Sequence, residues 1–171
     1  EPEEPVSQFT TVDASYFDDA LFLGDSHTDG FHDYAGLGNA TYFTKNGLTV
    51  KDAMEKSFIE LDGKKVTLAE ALGTRQFGKV YILLGINEIG AYTAADWAAQ
   101  YKSLLDLVRE KQPDAVIFIQ SIFHTTQKKS DSSYFKNEVI NERNAAIAQL
   151  ADGKTIFYLD LNPLFDDENG A

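Results

Sequence analysis

The sequence contains no cysteine, so it can form neither disulfide bonds nor thiolate metal sites. It also lacks an apolar run of about 18 residues, the minimum that a membrane-spanning helix requires. Positive charge is scarce: 15 Lys and Arg stand against 27 Asp and Glu, giving a formal net charge of −12. Because an acidic surface repels phosphate backbones, the composition argues against a nucleic-acid partner.

The rest of the composition is typical of a globular protein, with 43% hydrophobic and 25% charged residues among 171. This length is enough for one domain with a substantial core. We expect residues 1–15, which open with the acidic, proline-rich sequence EPEEP, to form a flexible tether ahead of a domain over 16–171. Such a tether is typical of an extracellular or surface-anchored protein whose signal was removed, although a cloned fragment would begin in the same way.

Four short apolar runs divide the chain, and each is continuous rather than alternating with polar residues. Continuous runs of this length are typical of strands covered on both faces, as in a parallel sheet. The predicted strands cover residues 20–23, 80–84, 115–119 and 156–159, with a weaker candidate at 41–44.

Helical patterns separate these strands. The clearest begins at Thr93, a plausible N-cap, and places five apolar residues on one helix face: Trp97, Tyr101, Leu104, Leu105 and Val108. Further helices are predicted over about 134–150 and at 68–72, and a hairpin over 59–67 turns at Asp62-Gly63. The alternation of strands and helices indicates an α/β fold with a parallel sheet and helices on both faces.

In a parallel sheet, ligands bind beyond the carboxyl ends of the strands, so the residues after each apolar run are candidates for a site. These strand ends share one edge of the sheet, where we expect the four segments to meet. All four are polar: Gly24-Asp25-Ser26-His27, Gly85-Ile86-Asn87-Glu88, Gln120-Ser121-Ile122-Phe123-His124 and Asp160-Leu161-Asn162.

Ser26 is the best candidate for a nucleophile. Gly24 lets the chain turn sharply off the first strand, which would place Ser26 near the start of a helix, where unpaired backbone N–H groups could stabilise an oxyanion. The alternative is that Ser26 merely caps this helix, a common role for serine.

Asn87 is the best candidate for a side-chain donor to the same oxyanion, because its amide follows a buried strand. The alternative is an Asx turn or a helix cap, which Asn favours in loops. Taken alone, either residue has an ordinary structural explanation, and their joint position beyond two strands is what favours catalysis.

Together, Gly24-Asp25-Ser26 after the first strand and Gly85-Ile86-Asn87 after a central strand resemble the first and third sequence blocks of the GDSL/SGNH hydrolase family. The resemblance extends over residues 20–161. It implies a three-layer α/β/α sandwich with a mostly parallel, flavodoxin-like sheet. It also implies a serine ester hydrolase in which Ser26 is the nucleophile and Asn87 an oxyanion donor.

Five further residues are expected at the oxyanion or lining the substrate site: Val50, His27, Gly85, Glu88 and His124. Val50 stands where the family's second block has a Gly whose backbone N–H donates to the oxyanion. Glu88 stands where the third block usually ends in Asp. The carboxylates and imidazoles around His27 lack the spacing of a metal site, and no Gly-rich phosphate loop occurs, so neither metal nor cofactor is predicted.

The family's last block, Asp-x-x-His, does not occur in the chain, although its His is the general base. We therefore expect the intact protein to continue beyond Ala171, and the 171 residues alone to be nearly inactive, because losing a triad member costs orders of magnitude in rate. Of the resident histidines, His124 could approach the site as a base. The alternatives for it are a substrate-lining position or a plain surface loop.

The resemblance implies an ester substrate, either an O-acetyl group on a carbohydrate or a lipid ester. An exported acidic protein fits a small acyl group on a glycan better, and Phe31, Tyr34 and Phe123 could stack on sugars. The competing hypothesis is a non-catalytic domain that binds a glycan or another ligand, keeping Ser26 and Asn87 on a degenerate hydrolase scaffold.

Overall fold

A five-stranded parallel sheet forms the centre of the protein, whose structure, a computed structural model, describes residues 10–168 and 170. The strands run in the order β2-β1-β5-β6-β7, and β3 pairs with β4 as a separate antiparallel hairpin. Without the hairpin, this is the flavodoxin-like order 2-1-3-4-5. The strands are β1 (Ala20–Gly24), β2 (Thr41–Thr44), β3 (Ile59–Leu61), β4 (Lys64–Val66), β5 (Lys79–Leu83), β6 (Val116–Gln120) and β7 (Ile156–Leu159).

Six α-helices lie in the described part of the chain and connect these strands. They are α1 (Ser26–Ala35), α2 (Val50–Glu55), α3 (Leu68–Leu72), α4 (Ala94–Lys111), α5 (Gln127–Ser132) and α6 (Asn137–Ala148). None of these helices is long and apolar enough to cross a membrane.

The main core lies between one face of the sheet and helices α2, α3, α4 and α6. On α4, Thr93 is the N-cap, and the five residues predicted to face inward are all buried. The opposite face carries a row of aromatic rings, one from each strand and in register, against which Phe31 of α1 packs. In strand order these rings are Tyr42, Phe22, Tyr81, Phe118 and Phe157. Helices therefore cover both faces, which confirms the three-layer arrangement.

The predicted elements are recovered with local differences. The weak strand candidate at 41–44 is β2, and the Asp62-Gly63 turn joins β3 to β4 with φ values of 49° and 75°. The helix predicted over 134–150 is shorter, and α5 precedes it as a separate turn of helix. Helix α2 was not predicted, because six residues are too few for a clear apolar period. Residues 1–9 of the predicted tether lie outside the described part.

Candidate active site

Ser26 is the first residue of α1, directly beyond the carboxyl end of β1, and its side chain is exposed. The helix cap is Asp25, whose carboxylate accepts a hydrogen bond from the backbone N–H of His27 at 2.9 Å. The alternative role of Ser26 as the cap is therefore wrong. Gly24 is required at the turn, because a Cβ there would lie 1.9 Å from Thr28 Oγ1. The sequence thus places an exposed hydroxyl on a helix N-terminus that points out of the sheet edge.

Asn87 lies in a 3-10 helix, Ile86–Glu88, that follows β5. Its side-chain Nδ2 donates to Asp25 Oδ2 at 3.2 Å and to the Leu48 carbonyl at 3.1 Å. The first bond brings the Asn87 amide against the residue that precedes Ser26. Both amide hydrogens are engaged in this conformation, so donation to an oxyanion requires the amide to share or exchange one of these acceptors.

Gly85 supports this turn and does so through its backbone. Its φ is +132°, and a Cβ there would lie 2.5 Å from the ring of Trp97 and 2.6 Å from Ile122 Cδ1. The residue is buried, so it shapes the Asn87 turn rather than presenting a group to a substrate.

Val50 and Glu88 are not placed as the sequence predicts. The backbone N–H of Val50 donates to Glu88 Oε2 at 3.0 Å, which removes it as a free oxyanion donor in this structure. Glu88 is only 3% exposed and points into the core, where its carboxylate also accepts from Trp97 Nε1 at 3.3 Å. The physical reason is that the side chains of Asn87 and Glu88 diverge on the 3-10 helix, one outward and one inward.

His27 completes a chain of hydrogen bonds across the site. Its Nδ1 lies 3.1 Å from Asp25 Oδ1, while the other carboxylate oxygen accepts from Asn87. The hydrogen bond to Asp25 raises the pKa of His27 above its usual value, although partial burial opposes the shift. His27 therefore shares one buried carboxylate with the candidate oxyanion donor.

A cavity of about 300 Å³ opens between the first turn of α1 and the segments that follow β6 and β7, and Ser26 is not among its lining residues. His27 and Thr28, which directly follow Ser26, line it together with apolar side chains. The His27 ring meets the edge of Phe123 at a centroid distance of 5.8 Å. The remaining lining residues are Phe22, Phe31, Leu83, Gln120, Leu161, Leu164 and Phe165. The cavity can therefore hold a group of modest size against His27 and Thr28.

His124 does not line this cavity, although its neighbour Phe123 does. The His124 ring turns away, with Nδ1 2.9 Å from Asp166 Oδ2 and Nε2 2.7 Å from Asn141 Oδ1. His32 stacks on Tyr42 at a centroid distance of 4.1 Å. Within residues 10–168 and 170, no imidazole hydrogen-bonds the Ser26 hydroxyl, and no group of three or more His, Asp or Glu converges as metal ligands would.

Sequence reasoning missed the role of one residue at the site, Asp25, and of one buried residue behind it, Arg143. Asp25 was seen only as part of the block preceding Ser26, although an Asp just before a helix start is a common N-cap signal. Arg143 was not noticed at all; it is 2% exposed, its guanidinium carbon lies 4.9 Å from the centre of the Trp97 ring, and it donates to the Tyr92 carbonyl. Nothing in its local sequence distinguishes it from a surface arginine on α6.

Comparison with known proteins finds a match over nearly the whole chain. The model of a family described as GDSL-like lipase/acylhydrolase matches residues 22–171. A search of curated proteins finds no match.

Several solved structures are similar in fold. A Streptococcus pneumonia protein provisionally described as a platelet activating factor aligns with a TM-score of 0.67 and 18% identity, covering 92% of this chain and 77% of its own. A GDSL-like lipase from Bacteroides thetaiotaomicron aligns with a TM-score of 0.61 and 14% identity, covering 94% of this chain and 77% of its own. A carbohydrate esterase family 3 protein from Talaromyces cellulolyticus aligns with a TM-score of 0.56 and 15% identity, covering 89% of this chain and 86% of its own. At these identities the likeness concerns the fold.

Proposed function

Because the chain belongs to the GDSL-like lipase/acylhydrolase family, we propose that it is a serine ester hydrolase that acts through an acyl-Ser26 intermediate. The observation that carries the proposal is the 3.2 Å hydrogen bond between Asn87 Nδ2 and Asp25 Oδ2. It joins the segments that follow β1 and β5, which supports the proposal that the Ser26 hydroxyl and the Asn87 amide act on one carbonyl group.

The reaction has two half-steps. The Ser26 oxygen attacks the ester carbonyl and loses its proton to a base, and the carbonyl oxygen becomes an oxyanion. The N–H of Ser26 at the helix N-terminus and the Asn87 amide donate to that oxyanion. Collapse expels the alcohol, which takes up a proton, and water then attacks the acyl-serine, releasing the carboxylic acid and restoring the hydroxyl.

The base is the part of this scheme that the described residues do not supply. In the described residues, neither the His27 nor the His124 ring is hydrogen-bonded to the Ser26 hydroxyl; Nδ1 of each ring lies against an aspartate. A hydroxyl is a weak nucleophile at neutral pH. We therefore expect slow hydrolysis by residues 1–171, and an increase in the Ser26-dependent rate when imidazole in solution substitutes for the base.

We further propose a small acyl group on a carbohydrate as the substrate. The net charge of −12 disfavours anionic lipid surfaces, and a protein of similar fold is a carbohydrate esterase. Phe31 and Phe123 line the cavity together with His27 and Thr28, the two residues that follow Ser26, and offer ring faces for a sugar. Release of acetate from an acetylated oligosaccharide should therefore exceed release of octanoate from an octanoyl ester.

A second candidate is a ligand-binding domain without turnover. It is favoured by one specific observation: both Nδ2 hydrogens of Asn87 are already engaged. Such a domain would bind acetylated oligosaccharide and leave it intact, with or without added imidazole.

The test is the Ser26-dependent hydrolysis of an aryl acetate across a series of imidazole concentrations, with a fluorophosphonate label as a second readout. Ser26→Ala should abolish both signals, and Asn87→Ala should lower them about a hundredfold. Ser103→Ala, an exposed helix serine, and Asn39→Ala, whose amide also bonds an Asp at 3.2 Å, are the matched controls. Labelling that is equal in wild type and Ser26→Ala would sink the proposal.

A further inference from the structure

Two hydrogen bonds of opposite sense join the segment at residues 48–50 to the Asn87 turn. Asn87 Nδ2 donates to the Leu48 carbonyl at 3.1 Å, and the Val50 N–H donates to Glu88 Oε2 at 3.0 Å. On the turn the two bonds come from adjacent residues, Asn87 and Glu88. On the other segment they come from Leu48 and Val50, two residues apart. This two-point clamp fixes both the separation and the orientation of the two segments.

Glu88 is the buried half of the clamp. A single carboxylate oxygen accepts from the Val50 backbone at the start of α2 and from the Trp97 indole on α4, at 3.0 and 3.3 Å. The same oxygen atom thus serves donors on two different helices. Glu88 therefore ties two helices to the turn that carries Asn87.

Arg143 of α6 provides the counter-charge. It is 2% exposed, and its charge opposes the rise that burial causes in the pKa of Glu88. Its guanidinium also stacks over the Trp97 ring that donates to Glu88. The side chains of Glu88, Arg143 and Trp97 thus support the turn that carries the surface amide of Asn87. Burying two ionisable side chains costs desolvation free energy, and a core can be filled without them.

We propose that Glu88 is a positioning residue whose carboxylate holds the Leu48–Val50 segment against the turn and so fixes the position from which the Asn87 amide reaches an oxyanion. The inference rests on the proposed function, since the amide has to be oriented for an oxyanion. The extra methylene relative to Asp gives the carboxylate the reach to accept from α2 and α4 together.

Conservative variants test this proposal. Glu88→Gln keeps an acceptor oxygen but replaces the other oxygen by an amide group, and Glu88→Asp keeps the carboxylate but shortens the reach. We expect kcat for an aryl acetate to fall about ten- to a hundredfold in both, with KM within about threefold, because a displaced donor weakens transition-state binding. The matched control is Glu70→Gln, whose carboxylate accepts from the Thr67 N–H at 2.8 Å in the exposed cap of α3.

Loss of the fold must be separated from loss of orientation. Removing one partner of a buried pair destabilises a protein, so Glu88→Gln should lower Tm. The double variant Glu88→Gln with Arg143→Met removes both charges and should recover most of the Tm while kcat stays low. Recovery of kcat along with Tm would show that Glu88 acts only on stability and would overturn the proposal.

A readout that does not require turnover keeps the two proposals distinguishable. In NMR spectra, the side-chain amide signals of Asn87 should shift in Glu88→Gln and remain unchanged in Glu70→Gln. If wild type hydrolyses no ester even with added imidazole but these signals shift, Glu88 still positions the Asn87 amide and the proposed function fails. If the signals and kcat of Glu88→Gln both match wild type, the positioning role is wrong.

Discussion

Two Asp–His pairs lie beyond the strand ends, and they differ in what surrounds the imidazole. In the pair Asp25–His27, Nδ1 is 3.1 Å from the carboxylate, the other carboxylate oxygen bonds Asn87, and the ring lines the cavity. In the pair Asp166–His124, Nδ1 is 2.9 Å from the carboxylate, and the second ring nitrogen, Nε2, is hydrogen-bonded to Asn141 Oδ1. The side chain of His27 is 45% exposed and that of His124 is 12% exposed.

The difference teaches that an Asp–His contact alone does not define a catalytic group. An imidazole that transfers a proton must have one nitrogen free to face the reacting atoms. His124 has neither nitrogen free, so its pair holds a loop in place. The Asp25 pair is connected to both the helix that begins at Ser26 and the Asn87 amide, so under the proposed function changes there should alter the reaction rate.

The largest expected effect concerns Gly85, in the turn that carries Asn87, the hydrogen-bond partner of Asp25. Gly85→Ala adds a Cβ that would meet Trp97 and Ile122 at a φ of +132°, and strain plus overpacking should cost about 4 kcal/mol of unfolding free energy. Gly153→Ala, before β7, has a φ of +66° but open space, so only about 1 kcal/mol is expected. Urea unfolding of both variants measures this, and equal losses would refute the packing argument.

The next effect separates the two pairs by reactivity. Asp25→Asn removes the charge that His27 and Asn87 share, so fluorophosphonate labelling of Ser26 should slow about a hundredfold, equivalent to about 2.7 kcal/mol. Asp166→Asn should change the labelling rate less than about threefold, since its partner faces away from the cavity. A larger effect of Asp166→Asn than of Asp25→Asn would reverse the assignment of the two pairs.

Stability of the His124 loop gives a smaller effect. Asn162 is 4% exposed; its Oδ1 accepts from the His124 N–H at 2.9 Å, and its Nδ2 donates to the Ile122 carbonyl at 3.0 Å. Asn162→Ala leaves the His124 N–H unpaired, while the Ile122 carbonyl still accepts from Asn144 Nδ2 at 2.9 Å; it should lower the unfolding free energy by about 2 kcal/mol without changing the reactivity of Ser26. Denaturation is compared with that of the exposed control Asn39→Ala, which should lose less than about 0.5 kcal/mol.

The smallest effect is the pH dependence of the first pair. The Asp25 hydrogen bond raises the folded-state pKa of His27 above 6.5, so the protonated ring stabilises the fold. This contribution is fully present below the unfolded pKa and is lost as pH rises through the folded one. The Tm difference between wild type and His27→Gln should be larger near about pH 6 than near about pH 9. A difference that grows with pH would contradict the direction of the shift.

Much of the fold could be predicted because the pattern is local. Four of the five sheet strands are continuous apolar runs, and the buried face of α4 follows from residues three and four apart. Ser26 and Asn87 were predicted to share an edge because carboxyl ends of parallel strands do so. The prediction was wrong for the Val50 N–H because the sequence does not reveal that Glu88 turns inward and takes it.

The sequence by itself determined the order of strands and helices and the polar segments that follow each strand, since periodicity, capping and turn signals depend on neighbours a few residues apart. Only the tertiary structure decided that Asp25 bonds Asn87 across 62 residues, that Glu88 is buried near Arg143 and that His124 faces Asp166. Those contacts depend on strand register and on side-chain direction at each turn. Both are set by how the whole core packs, and no local pattern encodes them.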